Sequence, residues 1–146
     1  GTDVIVGFCG ETDEQFENTC NLLAELKLDV AHLARYSPRE GTISATRMAD
    51  DVPDEVKWER FRRLEDLQKS ISEEIHKSRI GTVSEVLFED QRKGLWRGRD
   101  PNNKIVFAEQ VPGSQPDLLG RIGRVQINWA GPWSMRGVLT GEPNGA

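Results

Sequence analysis

The chain has 146 residues, 36% of them hydrophobic and 29% charged, a globular composition with too much apolar content for a disordered segment. The net charge of −5 hides a division: residues 1–78 carry 10 Lys and Arg against 17 Asp and Glu, and residues 79–146 carry 9 against 7. No apolar run approaches the roughly 20 residues that cross a bilayer, which argues against a membrane chain, and two Cys with two His leave little material for a zinc site.

Residues 3–8, "DVIVGF", are apolar almost throughout, which predicts a strand buried on both faces. A chain that opens on a strand is expected to be an excised piece of something longer. Gly10 then permits a tight turn, and Thr12 with Gln15 fits a capping box at a helix start. Asp13 and Glu14 suit the positive end of that helix. Phe16, Cys20, Leu23 and Lys27 define one helical face, with Leu22 and Leu26 widening it. "LDVAHLARY" reads as a second strand, so residues 1–35 form a βαβ unit. One such unit cannot bury both faces of its sheet, and its open edges predict pairing with a second chain.

Residues 37–53 read as a long irregular connection punctuated by two prolines and Gly41. Pro53 fits the first position of a helix, with Asp51 as its cap. Val56, Phe61, Leu64, Leu67, Ile71 and Ile75 then recur at mostly helical spacing as far as His76. The run Arg60, Arg62, Arg63 reads as a solvated face laced with Glu59, Glu65 and Asp66. His76 suits the negative end of the helix. His32 reads as an ordinary strand residue, and neither histidine has a recognisable catalytic companion.

After Gly81 five short runs follow, "TVSEVLFED", "LWRGRD", "KIVFAE", "GRVQINWA" and "SMRGVLTG", parted by Gly, Asn and Pro. They predict a small closed antiparallel barrel. Arg97 and Arg99 sit two apart on one strand and so share a face. Lys104 begins the partner strand, and "DPNN" closes the hairpin between them. These cations, gathered within reach of one another, cost stability unless an anion uses them and so suit phosphate, while Asn102 and Asn103 suit ribose or base edges. Trp133 lies in a turn beside Gly131 and Pro132 and suits base stacking, with Arg136 a further phosphate contact. Trp96 and Phe107 can stack or fill the interior. Cys9 and Cys20, separated by ten residues, make no recognised metal motif and imply free thiols in a cytoplasmic chain.

Six stretches in order resemble one known family. "IVGFCGET" is similar to the "IVGFPGET" stretch late in the radical S-adenosylmethionine barrel of methylthiotransferases, and "RYSPREGT" to their "YSPRPGT" loop. "VPDEVKWERFRRLEDLQKSIS" resembles the helix leaving that barrel. "GTVSEVLFE", "GRDPNNKIVF" and "LLGRIGRVQI" resemble their C-terminal TRAM domain, a small RNA-binding β-barrel. Cys9 and Glu40 stand where the family has proline. "YSPR" and "NNK" lie closest to the MiaB type, which methylthiolates an isopentenyl-modified adenosine in the tRNA anticodon loop. The RimO type, which modifies a ribosomal protein, and a stand-alone RNA-binding module are the alternatives.

The resemblance implies an α+β chain in three parts: the end of a radical SAM α/β barrel at 1–52, a connecting helix at 53–78 and an OB-like TRAM barrel at 79–142. It implies tRNA as partner, together with the missing N-terminal portion of the enzyme. It also implies that Gly7, Gly10, Glu11, Tyr36, Ser37 and Arg39 line the cofactor or substrate mouth. The family's reaction uses S-adenosylmethionine and two [4Fe–4S] clusters. Two cysteines cannot supply the three or four thiolates of a cluster, so this stretch is expected to bind none and to be inactive alone.

Overall fold

The chain's first strand, β1 (Thr2–Val6), pairs in parallel with β2 (Ala31–Arg35), Thr2 opposite Ala31 and Val6 opposite Arg35. The computed structural model describes residues 1–109 and 117–140, which divide into two units at Ile71/Ser72. Between the first two strands runs α1 (Asp13–Leu26), and its start is the predicted capping box. The Thr12 hydroxyl accepts from the Gln15 N–H, and the Gln15 side chain accepts from the Thr12 N–H. Phe16 and Leu23 bury with Val6 and with Leu64 of the helix α3 (Asp54–Lys77). Leu22 and Leu26, expected to widen the buried face, are exposed because the stripe that meets the core is narrower. β1 is covered on one face only, leaving Ile5 exposed, where two buried faces were expected. Among the described residues this two-stranded sheet has one helical layer, packed on its other face.

The connection expected to be irregular contains a short helix, α2 (Ile43–Arg47), capped by the Thr42 hydroxyl. Asp51 does not cap α3. Its carboxylate accepts from the Gly10 N–H at 2.7 Å, and the Pro53 carbonyl takes the first helical bond, from Lys57. The arginine run is a solvated face only in part, since Arg62 and Arg63 are exposed but pairing reaches beyond the helix's own acids. Arg60 is buried and donates to Glu11 and Asp13 at 2.6 and 2.7 Å, and Arg63 donates to Glu17 at 2.6 Å. Only side chains reaching across from α1 and its leading turn explain those pairs, which spacing along one helix cannot reveal. Burial holds the Cys20 thiol above its ordinary pKa, so it stays protonated at neutral pH.

The second unit is a closed five-stranded barrel of β3 (Val83–Arg92), β4 (Leu95–Arg99), β5 (Ile105–Glu109), β6 (Ile122–Ala130) and β7 (Met135–Leu139), in the order β3-β4-β5-β7-β6. The sequence predicted an antiparallel barrel, and four of the five seams are antiparallel. The fifth, β5 against β7, is parallel. These strands are not consecutive, so no hairpin fixes their direction. Val86, Phe88, Trp96, Val106, Leu118, Val125, Ile127 and Met135 fill the interior, alternating with outward residues along each strand. Trp96 is therefore core, and Phe107 points outward. Among the described residues no helix is long and apolar enough to cross a membrane.

Candidate nucleic-acid interface

Strand register assembles a row of side chains around the outside of the barrel. Asp90 on β3 lies opposite Arg97 on β4, Arg97 opposite Phe107 on β5, Phe107 opposite Arg136 on β7, and Arg136 opposite Trp129 on β6. Guanidinium and ring alternate along it, and the Arg136 guanidinium sits 5.5 Å from the centre of the Trp129 ring.

Both ends of the row depend on a β-bulge. Inward residues of β6 alternate at Gly123, Val125 and Ile127, so Trp129 would be buried by continuation. The register shift between Ile127 and Trp129 turns it out, and it is 48% exposed. On β3, Val86 and Phe88 face in, and Asp90 would follow. The shift between Phe88 and Asp90 turns Asp90 outward beside Glu89.

Two turns wall this face. Lys93 and Gly94, both at positive φ (51° and 80°), close the β3–β4 hairpin as the primed turn that matches strand twist. The β6–β7 turn carries Trp133, 71% exposed. The carbonyl of Gly131 at its base accepts from His76 Nδ1 at 2.6 Å. A carbonyl can only accept, so Nδ1 carries the proton, while Nε2 is buried with no partner among the described residues. His76 thus anchors the turn and does not cap its helix. Between the turns lies a recess of about 470 Å³ lined by Arg92, Lys93, Arg97, Phe107, Trp129, Trp133 and Arg136, with Leu95, Ile105 and Ser134.

The sequence-predicted residues do not all meet there. Arg97, Trp133 and Arg136 do. Arg99 and Asn103 line a separate recess of about 380 Å³ with Glu85, Leu87, Glu89 and Ile122. Asn102 and Lys104 line neither. The hairpin end is built around buried Asp100, whose carboxylate accepts from the Asn102 and Lys104 N–H groups and from Arg79. Asn103, at φ 62°, accepts from Arg99. Nor do the cations cluster without acids. Arg97 donates to both Asp90 oxygens at 2.8 Å, Arg99 lies 3.3 Å from Glu89, and Arg136 lies 3.9 Å from Glu109. Trp129, which completes the row, escaped the sequence reading because alternation placed it inside.

In the first unit, Tyr36, Ser37 and Arg39 line a recess of about 300 Å³ at the carboxyl ends of β1 and β2, with Phe8, Arg35 and Thr42. Gly7, Gly10 and Glu11 instead build the adjoining turn. Glu11 accepts from the Gly7 N–H at 2.9 Å and from Arg60, and a Cβ on Gly7 would strike the Lys57 side chain. His32 is exposed on β2. No group of three or more His, Cys, Asp or Glu that could hold a metal occurs among the described residues. Two cysteines are fewer than the three or four thiolates an iron–sulfur cluster takes, so the donor set of this chain does not fit one.

Residues 77–140 match the TRAM domain family. The chain is 45% identical over 140 residues to the tRNA-2-methylthio-N(6)-dimethylallyladenosine synthase of Chloroflexus aurantiacus, 94% of this chain and 29% of that protein. It is 43% identical over 138 residues to the protein of that name from Aquifex aeolicus, 94% of this chain and 30% of that one. Against the Bacillus velezensis protein of that name it is 44% identical over 144 residues, 97% of this chain and 27% of that one. The chain thus spans about three-tenths of the length of the curated relatives it matches.

Proposed function

As residues 77–140 are a TRAM domain and the chain belongs to the methylthiotransferase family, we propose that it is the RNA-holding part of a tRNA-modifying enzyme of the MiaB type. The barrel holds tRNA while the remainder of the enzyme methylthiolates an isopentenyl-modified adenosine of the anticodon loop. S-adenosylmethionine and the clusters that serve this reaction belong to that remainder. Tyr36, Ser37 and Arg39 border its substrate mouth, and Gly7, Gly10 and Glu11 support them from the turn.

One observation carries the reading: the row of alternating arginines and rings, open to solvent between two turns. Five-stranded OB-like barrels hold oligonucleotides on the second and third strands and the flanking loops. Here those strands are β4 and β5, and the loops are the β3–β4 and β6–β7 turns. Guanidinium groups meet phosphate, and aromatic faces take unstacked bases whatever their identity. Arg99, Asn102, Asn103 and Lys104, at the far end of the β4–β5 hairpin, extend the contact along the RNA backbone.

A binding titration with an anticodon stem-loop at several salt concentrations tests this. Affinity is expected to fall steeply with salt. Replacing Arg97 and Arg136 together by Ala is expected to flatten the slope of log affinity against log salt by about 0.7–0.9 per phosphate contact removed. A folded double variant that binds as the parent does would overturn the assignment. Absence of RNA binding at every salt concentration would point to a protein substrate.

A further inference from the structure

Asp90 reaches the RNA face only because β3 bulges. Unbroken alternation would send its side chain into the barrel, where a carboxylate is costly. The bulge sets Glu89 and Asp90 side by side on the outside, at the head of the row, directly opposite Arg97. Asp90 then grips Arg97 through two parallel hydrogen bonds of 2.8 Å, with Glu89 3.8 Å from the same guanidinium and Arg92 3.4 Å from Asp90. A bidentate carboxylate occupies the same donor fork that a phosphate would use.

We propose that Asp90, supported by Glu89, is a specificity-determining residue of this face: it competes with phosphate for Arg97 and so selects RNA that brings unpaired bases. This rests on the face being the RNA site. A ligand offering only phosphates, such as a regular duplex, exchanges one anion for another at Arg97 and gains little. A loop that also lays bases on Trp129, Trp133 and Phe107 gains stacking that a duplex, with its bases paired and stacked, cannot supply. The carboxylate therefore costs the duplex most, since the Arg97 fork is the contact it depends on, whereas a loop seated by its bases on the rings leans less on that fork and loses less. The device is negative selection by an acid placed where the wrong ligand makes its whole contact.

The test measures affinities of the chain for an RNA stem-loop with an unpaired loop and for a duplex of equal charge, over a range of salt. Asp90→Asn keeps the shape and removes the charge, and Glu25→Gln, at an exposed position of α1 in the first unit, controls for net charge. Asp90→Asn is expected to strengthen duplex binding about fivefold, the scale of one partly exposed ion pair. Loop binding should rise less, and the duplex salt slope should steepen by about 0.7–0.9. Glu25→Gln should leave the duplex-to-loop ratio unchanged. The proposal is overturned if Asp90→Asn raises both affinities equally, matches Glu25→Gln, or weakens binding, the last meaning that Asp90 holds Arg97 ready for RNA. Those results leave the RNA site standing. Failure of the parent chain and of Asp90→Asn to bind either RNA at any salt overturns the site and the selection together.

Discussion

At the scale of single residues, the rings and the groups that hold them divide the work. Trp133 projects from a turn with most of its surface in water, so Trp133→Ala is expected to cost no fold stability. It should cost about 1–3 kcal/mol of loop binding, the scale of one stacked base, with the salt slope unchanged. Fluorescence titration reads both, and an altered slope would move Trp133 out of the stacking role. His76 works from beneath. His76→Leu leaves the Gly131 carbonyl without its donor and is expected to cost about 1–3 kcal/mol by urea unfolding. His76→Asn, whose amide nitrogen reaches the place of Nδ1, is expected to recover most of it, whereas His76→Gln should not. Equal losses in all three would reduce His76 to a space-filler. Trp133 and Arg136 were legible in the sequence because turn residues and alternation expose them. Trp129 and Asp90 were not, because alternation is a rule about regular strands and each bulge reverses it for one residue.

At the scale of elements, local signals were legible and long-range pairings were not. The capping box of α1 is written in Thr12 and Gln15, three positions apart, whose bonds need no tertiary context. The pairing of Arg63 with Glu17 is not so written, since it joins two helices 46 residues apart. Hydrogen bonds from Arg63 hold the Glu17 carboxyl below its ordinary value of 4.5. A lowered folded value means the pair contributes above the ordinary pKa and is lost as pH falls through the folded value. NMR titration is therefore expected to place the Glu17 midpoint below 4.5, returning to it in Arg63→Met. A midpoint indifferent to Arg63 would contradict the pair. The five strands were legible from their spacing, but the parallel seam of β5 and β7 was not. Two glycines permit close approach of strands: a Cβ on Gly137 would run into the Gln126 carbonyl, and one on Gly98 into that of Leu87. Gly137→Ala is expected to destabilise the barrel by about 1–3 kcal/mol in thermal unfolding. An unchanged midpoint would show that the strands can part without cost.

At the scale of the whole molecule, the two units differ in how complete they are. The barrel has no free strand edge, while the sheet of β1 and β2 pairs with no third strand among the described residues and leaves Ile5 and Phe8 exposed. Unfolding of the chain is expected to occur in two steps, with β1 and β2 losing amide protection first and the barrel last. Self-association at raised concentration is expected to involve the first unit. Light scattering that shows a strict monomer at all concentrations, with β1 amides protected as well as those of β6, would contradict both expectations. The sequence changes from helical to alternating periodicity near residue 80, whereas the two units part at Ile71/Ser72, inside α3. The uncovered face of β1 was not legible, since an apolar run looks the same whether or not its neighbours are at hand.

The order of the barrel strands has a consequence for how the polypeptide is made. β7 is the last of the five to be synthesised, yet it sits between β5 and β6 and touches both. Until it leaves the ribosome the cylinder stays open along a whole side, with Val106 and Val125 in water. Arg136 arrives with that same strand. A nascent chain therefore lacks the closed cylinder, and the outer row from Asp90 to Trp129 is unbroken only once the final stave is in place.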